Sequence, residues 1–230
     1  MTSPGLDELL ARTRHVLLDF DGPVCSVFAG ITATTVASRL TKILTDAALT
    51  PPTHVTQTDD PFEVLRYALA HAPELAAQIE TAFRAEEVAA VATAAPTPGA
   101  TQTIQACHDT GRTVAIVSNN SHDAVHTYLT IHGLADQIDY ISARTPADTT
   151  RLKPHPHLVT QATHALHAQP TTCVLIGDSL TDIRAAHAAG VPAIGYANKT
   201  SKPARFTDTA AVAVITDMID LASALVHSHG

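Results

Sequence analysis

The stretch His15 Val16 Leu17 Leu18 Asp19 Phe20 Asp21 Gly22 decides the fold, because an apolar run of strand length ends directly in two acids and a glycine. A short continuous apolar run is typical of a buried parallel strand. In an open α/β sheet, ligands bind outside the carboxyl ends of the strands. Asp19 and Asp21 are therefore predicted to lie at the functional edge of a parallel sheet.

Further apolar runs at 114–117, 138–141 and 173–176 are predicted to be strands of the same sheet. Helices are predicted between them at 121–132 and 179–189, because each has a capping residue at its start and a glycine after its end. Alternating strands and helices imply parallel crossover connections. The predicted fold class is α/β, with a Rossmann-like parallel sheet as its core.

Between the first strand and the turn-forming run at 96–99, the sequence has no second stretch with strand periodicity. Spaced apolar positions predict helices over 29–49 and 74–95. Asp60, Pro61 and Glu63 carry the signature of a helix start, with an N-cap acid and proline in the first turn. The run Pro51 Pro52 Thr53 is interpreted as a loop between helices. The simplest organisation is a helical insert after the first strand.

Asp19 and Asp21 have the spacing of two carboxylates with separate chemical tasks. A carboxylate at a strand end can attack phosphorus, and a second one can protonate the leaving oxygen and then activate water. The alternative for this fragment is an ordinary Asp-Gly turn after a strand. Asp178 follows the strand at 173–176, and Asp182 lies one helical turn later, which suits carboxylate ligation of Mg²⁺. The alternative for these two acids is helix capping.

Ser118 and Asn119 follow another predicted strand, so the Ser118 hydroxyl and nearby backbone N–H groups are candidates for holding phosphate oxygens. Ordinary N-capping of the next helix remains the alternative. Lys153 lies in the loop Arg-Leu-Lys-Pro, where it would either be solvated or offset the charge of phosphate and crowded acids.

Together, these residues resemble the haloacid dehalogenase superfamily of phosphatases, in which an Asp-x-Asp motif, a Ser/Thr, a Lys and a Gly-Asp-x-x-x-Asp type motif recur in this order. The resemblance runs from about His15 to Tyr196. It implies that Asp19 is the nucleophile, which forms an aspartyl-phosphate, and that Asp21 is the acid/base. It further implies that Mg²⁺ is held by Asp19, Asp178 and the backbone carbonyl of Asp21, with Asp182 in support. Ser118, Asn119 and Lys153 would bind the phosphoryl group.

The resemblance also assigns the insert as a C1-type cap, as in phosphoglycolate phosphatase-like enzymes, which gives a core domain of residues 1–23 and 97–230 and a cap domain of residues 24–96. Retention of Asp21 favours phosphate-ester hydrolysis over the dehalogenase branch, which lacks that acid. A phosphomutase remains an alternative. Pro23 stands where the family usually has threonine, and this departure motivates another hypothesis, a catalytically weak member that acts as a binding protein.

Composition limits the partners and the compartment. The formal charge of −8 without a Lys/Arg cluster argues against nucleic-acid binding, and the expected partner is a small phosphorylated metabolite. Three widely spaced cysteines without a C-x-x-C pair favour a reducing cytoplasm. No signal peptide or membrane segment is predicted. The sequence does not predict the oligomeric state.

The helical insert contains three arginines that could contact a substrate, Arg39, Arg66 and Arg84. The alternative is that they are solvated surface residues.

Overall fold

The core of the protein is a six-stranded sheet in which every neighbouring pair of strands is parallel. The computed structural model describes residues 4–146, 149–198, 206 and 209–228. The strands, in the spatial order β3-β2-β1-β4-β5-β6, are β1 His15–Leu18, β2 Thr113–Ser121, β3 Tyr140–Arg144, β4 Cys173–Gly177, β5 Ala193–Tyr196 and β6 Ala211–Ile215. The predicted α/β fold with a parallel sheet is confirmed.

The central position of β1 brings the predicted site residues to one edge of the sheet. Leu18, the last residue of β1, pairs with Ile116 of β2 on one side and with Ile176 of β4 on the other. The chain thus continues to β2 and β3 on one side of β1 and to β4, β5 and β6 on the other. Such a reversal of strand order opens a crevice at the carboxyl ends of the strands.

The described residues contain ten α-helices: α1 Pro4–Arg12, α2 Ala33–Asp46, α3 Thr53–Thr56, α4 Pro61–His71, α5 Pro73–Val91, α6 Ala100–Asp109, α7 His122–Ile131, α8 His157–Ala165, α9 Leu180–Ala188 and α10 Met218–His227. Side-chain caps begin the helices that flank the site. Ser121 accepts a hydrogen bond from the Ala124 backbone N–H at α7, and Asp60 accepts one from the Phe62 N–H at α4.

The sheet is covered on both faces, which explains the continuous apolar runs 16–18 in β1, 114–117 in β2 and 173–176 in β4. Val16 and Leu18 belong to a core cluster that also contains side chains of α1, α6, α7 and α10. Leu17, between them, belongs to a second cluster with side chains of α8 and α9. Successive residues of a strand point to opposite faces, so a continuous apolar run satisfies both clusters.

The helical insert comprises α2 to α5 and has a third cluster of buried apolar side chains, which includes Leu40, Leu65 and Phe83. Residues 19–112, all of them described, contain no strand beyond isolated bridges, in agreement with the sequence. The two chain crossings between the sheet and the insert pair with each other, because Cys25 bridges to Pro96 and the Thr97 N–H donates to the Val24 carbonyl. The division into two domains at 23/24 and 96/97 stays a prediction.

Several element boundaries differ from the sequence prediction. Helix α2 begins at Ala33, because Thr32 caps it, and Thr53 begins the one-turn helix α3 instead of lying in a loop. Strand β2 extends through the polar residues 118–121, because Ser118 and Ser121 still pair with β3. Strands β5 and β6 were not predicted. In the described residues, no helix has both the length and the hydropathy needed to cross a bilayer.

Candidate active site

A cavity of about 260 Å³ lies where the carboxyl ends of β1, β2 and β4 meet the helical insert. Residues at the sheet edge form one wall, and residues of the insert form the other. The first group is Asp19, Asp21, Asn119, Asn120, Lys153, Asp178, Ser179, Thr181 and Asp182; the second is Phe28, Asp60, Phe62 and Arg66. All but one of the predicted site residues therefore line a single cavity, and the exception is Ser118.

Three carboxylates converge in this cavity. Asp19, Asp178 and Asp182 each offer an oxygen, and these oxygens all lie within 4.8 Å of one another. Asp182 is fixed by a capping box at the start of α9, in which Ser179 donates its hydroxyl and its backbone N–H to the Asp182 carboxylate at 2.6 and 3.0 Å. An oxygen-only donor set of this kind is the type that Mg²⁺ prefers.

Two glycines allow the acids to approach. A Cβ on Gly177 would lie 2.3 Å from the Asp182 Cβ, and a Cβ on Gly22 would lie 2.5 Å from the Asp178 Cγ. Gly22 also has a φ of +117°, in the region that favours glycine. Both Asp-containing motifs therefore need their glycines for close packing, and Gly22 also turns the chain.

Lys153 is the buried cation of the cluster. Its Nζ donates to Asp19 Oδ1 at 2.7 Å and to the Val117 carbonyl at 2.9 Å, and it forms an ion pair with Asp182 Oδ1 at 2.6 Å. Asn119 holds the backbone of the same residue: its Nδ2 donates to the Lys153 carbonyl at 3.1 Å, and its Oδ1 accepts from the Lys153 N–H at 2.7 Å. The alternative of a solvated lysine is wrong, because Lys153 is buried.

The charges in the cavity are unbalanced toward the negative. Burial raises the pKa of Asp19 well above its ordinary value, and the charges of Asp182 and Asp178 raise it further, while Lys153 opposes the shift. Burial by itself lowers the pKa of Lys153, but Asp182 and Asp19 outweigh that effect, so its net pKa is raised and it remains an ammonium. A divalent cation beside Asp19 and Asp178 would lower the cost of ionising Asp19. The site fits Mg²⁺ by donor type and by charge.

Asp21 faces the same cavity but is not a member of the carboxylate cluster. Its Oδ1 accepts a hydrogen bond from the Val27 N–H at 2.9 Å. The surrounding turn is closed by hydrogen bonds from the N–H groups of Gly22, Val24 and Cys25. Pro23 occupies a position in this turn that needs no donor. The Asp21 carboxylate is thus held without a threonine at position 23.

Ser118 differs from the sequence expectation in its surroundings. It is fully buried, its Oγ donates to Asn120 Oδ1 at 3.1 Å, and it accepts from the Asn120 N–H at 3.0 Å. Because β2 continues past Ser118, the hydroxyl lies inside the strand end instead of in a loop after it. Asn120 bonds the Ser118 hydroxyl and itself lines the cavity, so the Asn120 side chain lies between that hydroxyl and the space where a ligand would bind.

Among the three arginines that the insert offers, Arg66 is the one that lines the cavity. Its guanidinium is paired with Asp60 and Glu63, each at 2.8 Å. Arg39 pairs with Glu86, and Arg84 pairs with Asp123 on α7. The local sequence predicts Asp60 only as a helix cap, which it is. The structure shows that Asp60 also borders the cavity.

Asn198 was missed in the sequence. Its Nδ2 donates to Asp178 Oδ2 at 3.1 Å, so it orients one carboxylate of the cluster. It follows β5, a four-residue strand whose apolar run is interrupted by Gly195, and an unrecognised strand gave no reason to examine the residue after it.

Known proteins resemble this chain in sequence and in fold over most of its length. The family model described as haloacid dehalogenase-like hydrolase matches residues 16–196. A phosphoglycolate phosphatase from Xylella fastidiosa (strain 9a5c) is 28% identical over 203 residues, which cover 84% of this chain and 86% of that protein. A phosphoglycolate phosphatase from Vibrio vulnificus (strain YJ016) is 32% identical over 98 residues, which cover 43% of this chain and 42% of that protein, less than half of each.

Two solved structures share the whole architecture. A HAD family hydrolase from Deinococcus radiodurans R1, crystallised with bound phosphate and sodium, superimposes with a TM-score of 0.63 at 26% identity and covers 95% of this chain and 97% of that one. CbbY from Rhodobacter sphaeroides, in complex with phosphate, gives a TM-score of 0.70 at 21% identity and covers 93% of this chain and 99% of that one. At 21% identity, the similarity to CbbY shows a shared fold only.

Proposed function

Because this chain belongs to the family of haloacid dehalogenase-like hydrolases and is a phosphatase of that type, we propose that it hydrolyses a small phosphate monoester with Mg²⁺ and through an aspartyl-phosphate. The observation that carries the proposal is the convergence of Asp19, Asp178 and Asp182 with the Lys153 ammonium in one cavity. Helix capping accounts for the position of Asp182 but not for its ion pair with Lys153. The Lys153 ammonium also donates to Asp19, the residue that follows β1.

In the first step, a carboxylate oxygen of Asp19 attacks phosphorus while the bond from phosphorus to the ester oxygen breaks. Asp21 gives its proton to the departing oxygen, so the product alcohol leaves neutral. In the second step, the ionised Asp21 takes a proton from water as the water oxygen attacks phosphorus. The Asp19 acyl-phosphate bond breaks, and inorganic phosphate and both starting carboxyl groups are regenerated.

The phosphoryl group would be held by Lys153 and by Asn119, with Ser118 and the backbone N–H groups of its strand end in support. Asn119 keeps the Lys153 backbone in place through two hydrogen bonds, so the cation is positioned before a substrate arrives. The Deinococcus radiodurans relative, which was crystallised with bound phosphate, supports a phosphate site in this fold.

Mg²⁺ would be held by the carboxylates of Asp19 and Asp178 and the backbone carbonyl of Asp21. When bound, it would offset the repulsion between the attacking carboxylate and the phosphate oxygens. Asp182 has a supporting role, because its carboxylate already forms an ion pair with Lys153 and accepts a hydrogen bond from the Ser179 hydroxyl. Asn198 keeps the Asp178 carboxylate turned by its hydrogen bond.

The helical insert, residues 24–96, acts in this proposal as a cap over the core formed by residues 1–23 and 97–230. Phe28, Phe62 and the Asp60–Arg66 pair close the cavity from the side opposite the acids. The cavity volume of about 260 Å³ lies just below the range of most ligand pockets, which is roughly 300–1,000 Å³. The proposed partner is therefore a small phosphorylated metabolite. Phosphoglycolate is the first to test, because four of the similar curated proteins are named phosphoglycolate phosphatase.

A cytoplasmic location is part of the same proposal. The described residues contain three cysteines, Cys25, Cys107 and Cys173, and all three are free and buried. Unpaired cysteines accord with a reducing compartment.

The test is phosphate release from p-nitrophenyl phosphate by purified protein. We expect turnover with Mg²⁺, loss of turnover in EDTA, and a fall of at least about 10³-fold in kcat for Asp19→Asn, since the nucleophile is removed. Asp46→Asn changes an exposed acid of the insert and serves as the matched control. Activity without metal, or an active Asp19→Asn protein, contradicts the mechanism. An inert protein across a broad metabolite panel favours the alternative of a weak binding member.

A further inference from the structure

A buried ion network joins the helical insert to the strand end that carries Ser118, Asn119 and Asn120. Arg144 ends β3 and is fully buried, as is Glu87 on α5. Arg144 Nη2 forms an ion pair with Glu87 Oε2, and Arg144 Nη1 donates to Glu80 Oε1 at 2.7 Å. Its guanidinium carbon lies 4.6 Å from the ring centroid of Phe83, between the two glutamates on α5.

The contacts of Glu87 extend beyond this ion pair to the strand end itself. Glu87 Oε1 accepts from Asn120 Nδ2 at 3.1 Å, and Glu87 Oε2 accepts from the Ser121 backbone N–H at 3.1 Å. Because the carboxylate is an acceptor only, it fixes the orientation of the Asn120 amide, with Nδ2 toward Glu87 and Oδ1 toward Ser118. Asn120 Oδ1 then receives the Ser118 hydroxyl at 3.1 Å.

Arg144 also contacts Asn119, the residue that holds the Lys153 backbone. Its Nε donates to the Asn119 carbonyl at 3.1 Å. The Asn119 carboxamide holds the Lys153 backbone, and Lys153 Nζ bonds Asp19. An unbroken series of hydrogen bonds thus runs from helix α5 through Arg144 and Asn119 to the proposed nucleophile.

A purely structural role does not explain this arrangement. Buried ion pairs give little net stability compared with well-packed apolar residues, because both charges lose their hydration. Glu80 and Phe83 already anchor Arg144 to the insert. Glu87 also accepts hydrogen bonds from Asn120 and Ser121, which belong to the strand end beside the cavity, so its contacts go beyond anchoring Arg144.

We propose that Glu87 and Arg144 are positioning residues for phosphate binding, which set the conformation of the strand end from Ser118 to Ser121 and couple it to the docking of the insert. The inference rests on the proposed function. Neither residue lines the cavity, so neither is assigned contact with substrate. Glu87 acts through the Asn120 amide on Ser118, and Arg144 acts through Asn119 on Lys153.

The test compares Glu87→Gln with Glu80→Gln as its matched control. Both changes convert a buried carboxylate of α5 that bonds Arg144 into an amide, but only Glu87 contacts the strand end. In Glu87→Gln, an NH₂ group must face either Asn120 Nδ2 or the donors of Ser121 and Arg144. A flip of Asn120 would relieve the first conflict only by removing the acceptor of the Ser118 hydroxyl.

The readouts are the dissociation constant of inorganic phosphate with Mg²⁺, measured by titration calorimetry, and kcat and KM on p-nitrophenyl phosphate. We expect Glu87→Gln to weaken phosphate binding and lower kcat/KM on the order of ten- to a hundredfold, the scale of a hydrogen bond to a charged group. We expect Glu80→Gln to stay within about threefold of the wild type, although both variants lose thermal stability. Phosphate affinity unchanged in Glu87→Gln, or lowered equally in both variants, overturns the inference.

A second variant keeps the test decisive if Glu87→Gln does not fold. Asn120→Ala leaves the Arg144–Glu87 pair intact and breaks the link to Ser118. It should weaken phosphate binding to a similar extent, and unchanged affinity contradicts the assigned route. Wild-type turnover together with unaffected variants overturns the positioning role and leaves the proposed function standing. A wild-type protein with neither turnover nor phosphate binding overturns both.

Discussion

Replacing Lys153 by methionine removes the one buried cation that contacts the carboxylate cluster among the described residues. The side chain keeps its approximate length and loses its charge. In the wild type the ammonium lies 2.7 Å from Asp19 Oδ1 and 2.6 Å from Asp182 Oδ1. Removing one partner from a buried pair typically costs about 3–5 kcal/mol, because the remaining charge is left uncompensated.

The expected loss appears directly in thermal unfolding. In a chain of this size, 1 kcal/mol corresponds to a shift of about 2–4 °C, so Lys153→Met should lower Tm by roughly 6–20 °C near neutral pH in EDTA. Mg²⁺ should raise Tm more in the variant than in the wild type, because the ion would replace the missing positive charge beside Asp19 and Asp178.

The pH dependence of the deficit has a definite sign. Burial, Asp182 and Asp178 raise the pKa of Asp19, and removal of Lys153 takes away the group that opposes this shift. The folded variant therefore binds a proton more readily than the unfolded chain, whose Asp19 has an ordinary pKa of 3.8. Stability of the variant should recover as pH falls from the raised folded pKa toward 3.8.

Lys42→Met is the matched control, because Lys42 forms an exposed pair with Asp46 on α2. Such pairs contribute about 0.3–0.5 kcal/mol, so the control should stay within a few degrees of the wild type. Scanning calorimetry of the three proteins, with and without Mg²⁺, measures all of these quantities. A Lys153→Met protein as stable as Lys42→Met in EDTA would refute the assignment of Lys153 as the counter-ion of the cluster.

Three further changes have defined outcomes. Gly22→Ala places a Cβ 2.5 Å from the Asp178 Cγ at a φ of +117°, so we expect at least about a tenfold rise in the Mg²⁺ concentration for half-maximal activity; an unaltered metal titration would show that the turn is not tightly packed. Arg112→Met should lower the free energy of unfolding by about 3 kcal/mol in a urea titration, because the buried guanidinium donates to three backbone carbonyls, those of Leu10, Thr13 and Leu225. A loss below about 1 kcal/mol would contradict a stabilising role for these hydrogen bonds. Burial and then the charge of Arg14 lower the pKa of His15 below 6.5. The unfolded chain therefore binds the proton more readily, and stability falls as pH drops from 6.5 toward the folded pKa. The decrease in Tm between pH 7.5 and 5.5 should be smaller in His15→Gln, and an equal decrease in both proteins would exclude His15 as its source.

The sequence predicted the parts of the fold in which one local signal dominates. Continuous apolar residues identified β1 and β4, and the cap at Asp60 with Pro61 identified α4. Where tertiary pairing decides, the prediction failed. Strand β3 begins at Tyr140, because Asp139 uses its carboxylate and its N–H to bond the Val114 backbone instead of continuing the strand. Strand β6 is a short apolar run that pairs with β5 at the sheet edge, and no turn or capping signal next to it marked it as a strand.

The site was predictable to the extent that its residues follow strands directly. Asp19 and Asp178 come together because β1 lies beside β4 in a parallel sheet, and each of them directly follows the end of its strand. Glu87 and Arg144 carry no local signal, because an acid inside a helix and an arginine at a strand end usually face solvent. Their burial follows from the packing of α5 against the sheet edge, which the sequence pattern does not encode.

The most direct measurement of the central claim is capture of the phosphoryl group on Asp19. In Asp21→Asn, attack on p-nitrophenyl phosphate needs no proton donor for its good leaving group, whereas hydrolysis lacks its base, so the acyl-phosphate should accumulate. Borohydride reduces an aspartyl-phosphate to homoserine, and peptide mass spectrometry reads the converted position. We expect homoserine at position 19 with Mg²⁺ and none in EDTA. Robust wild-type turnover with an unconverted Asp19, or conversion of a different acid, would contradict the aspartyl-phosphate mechanism.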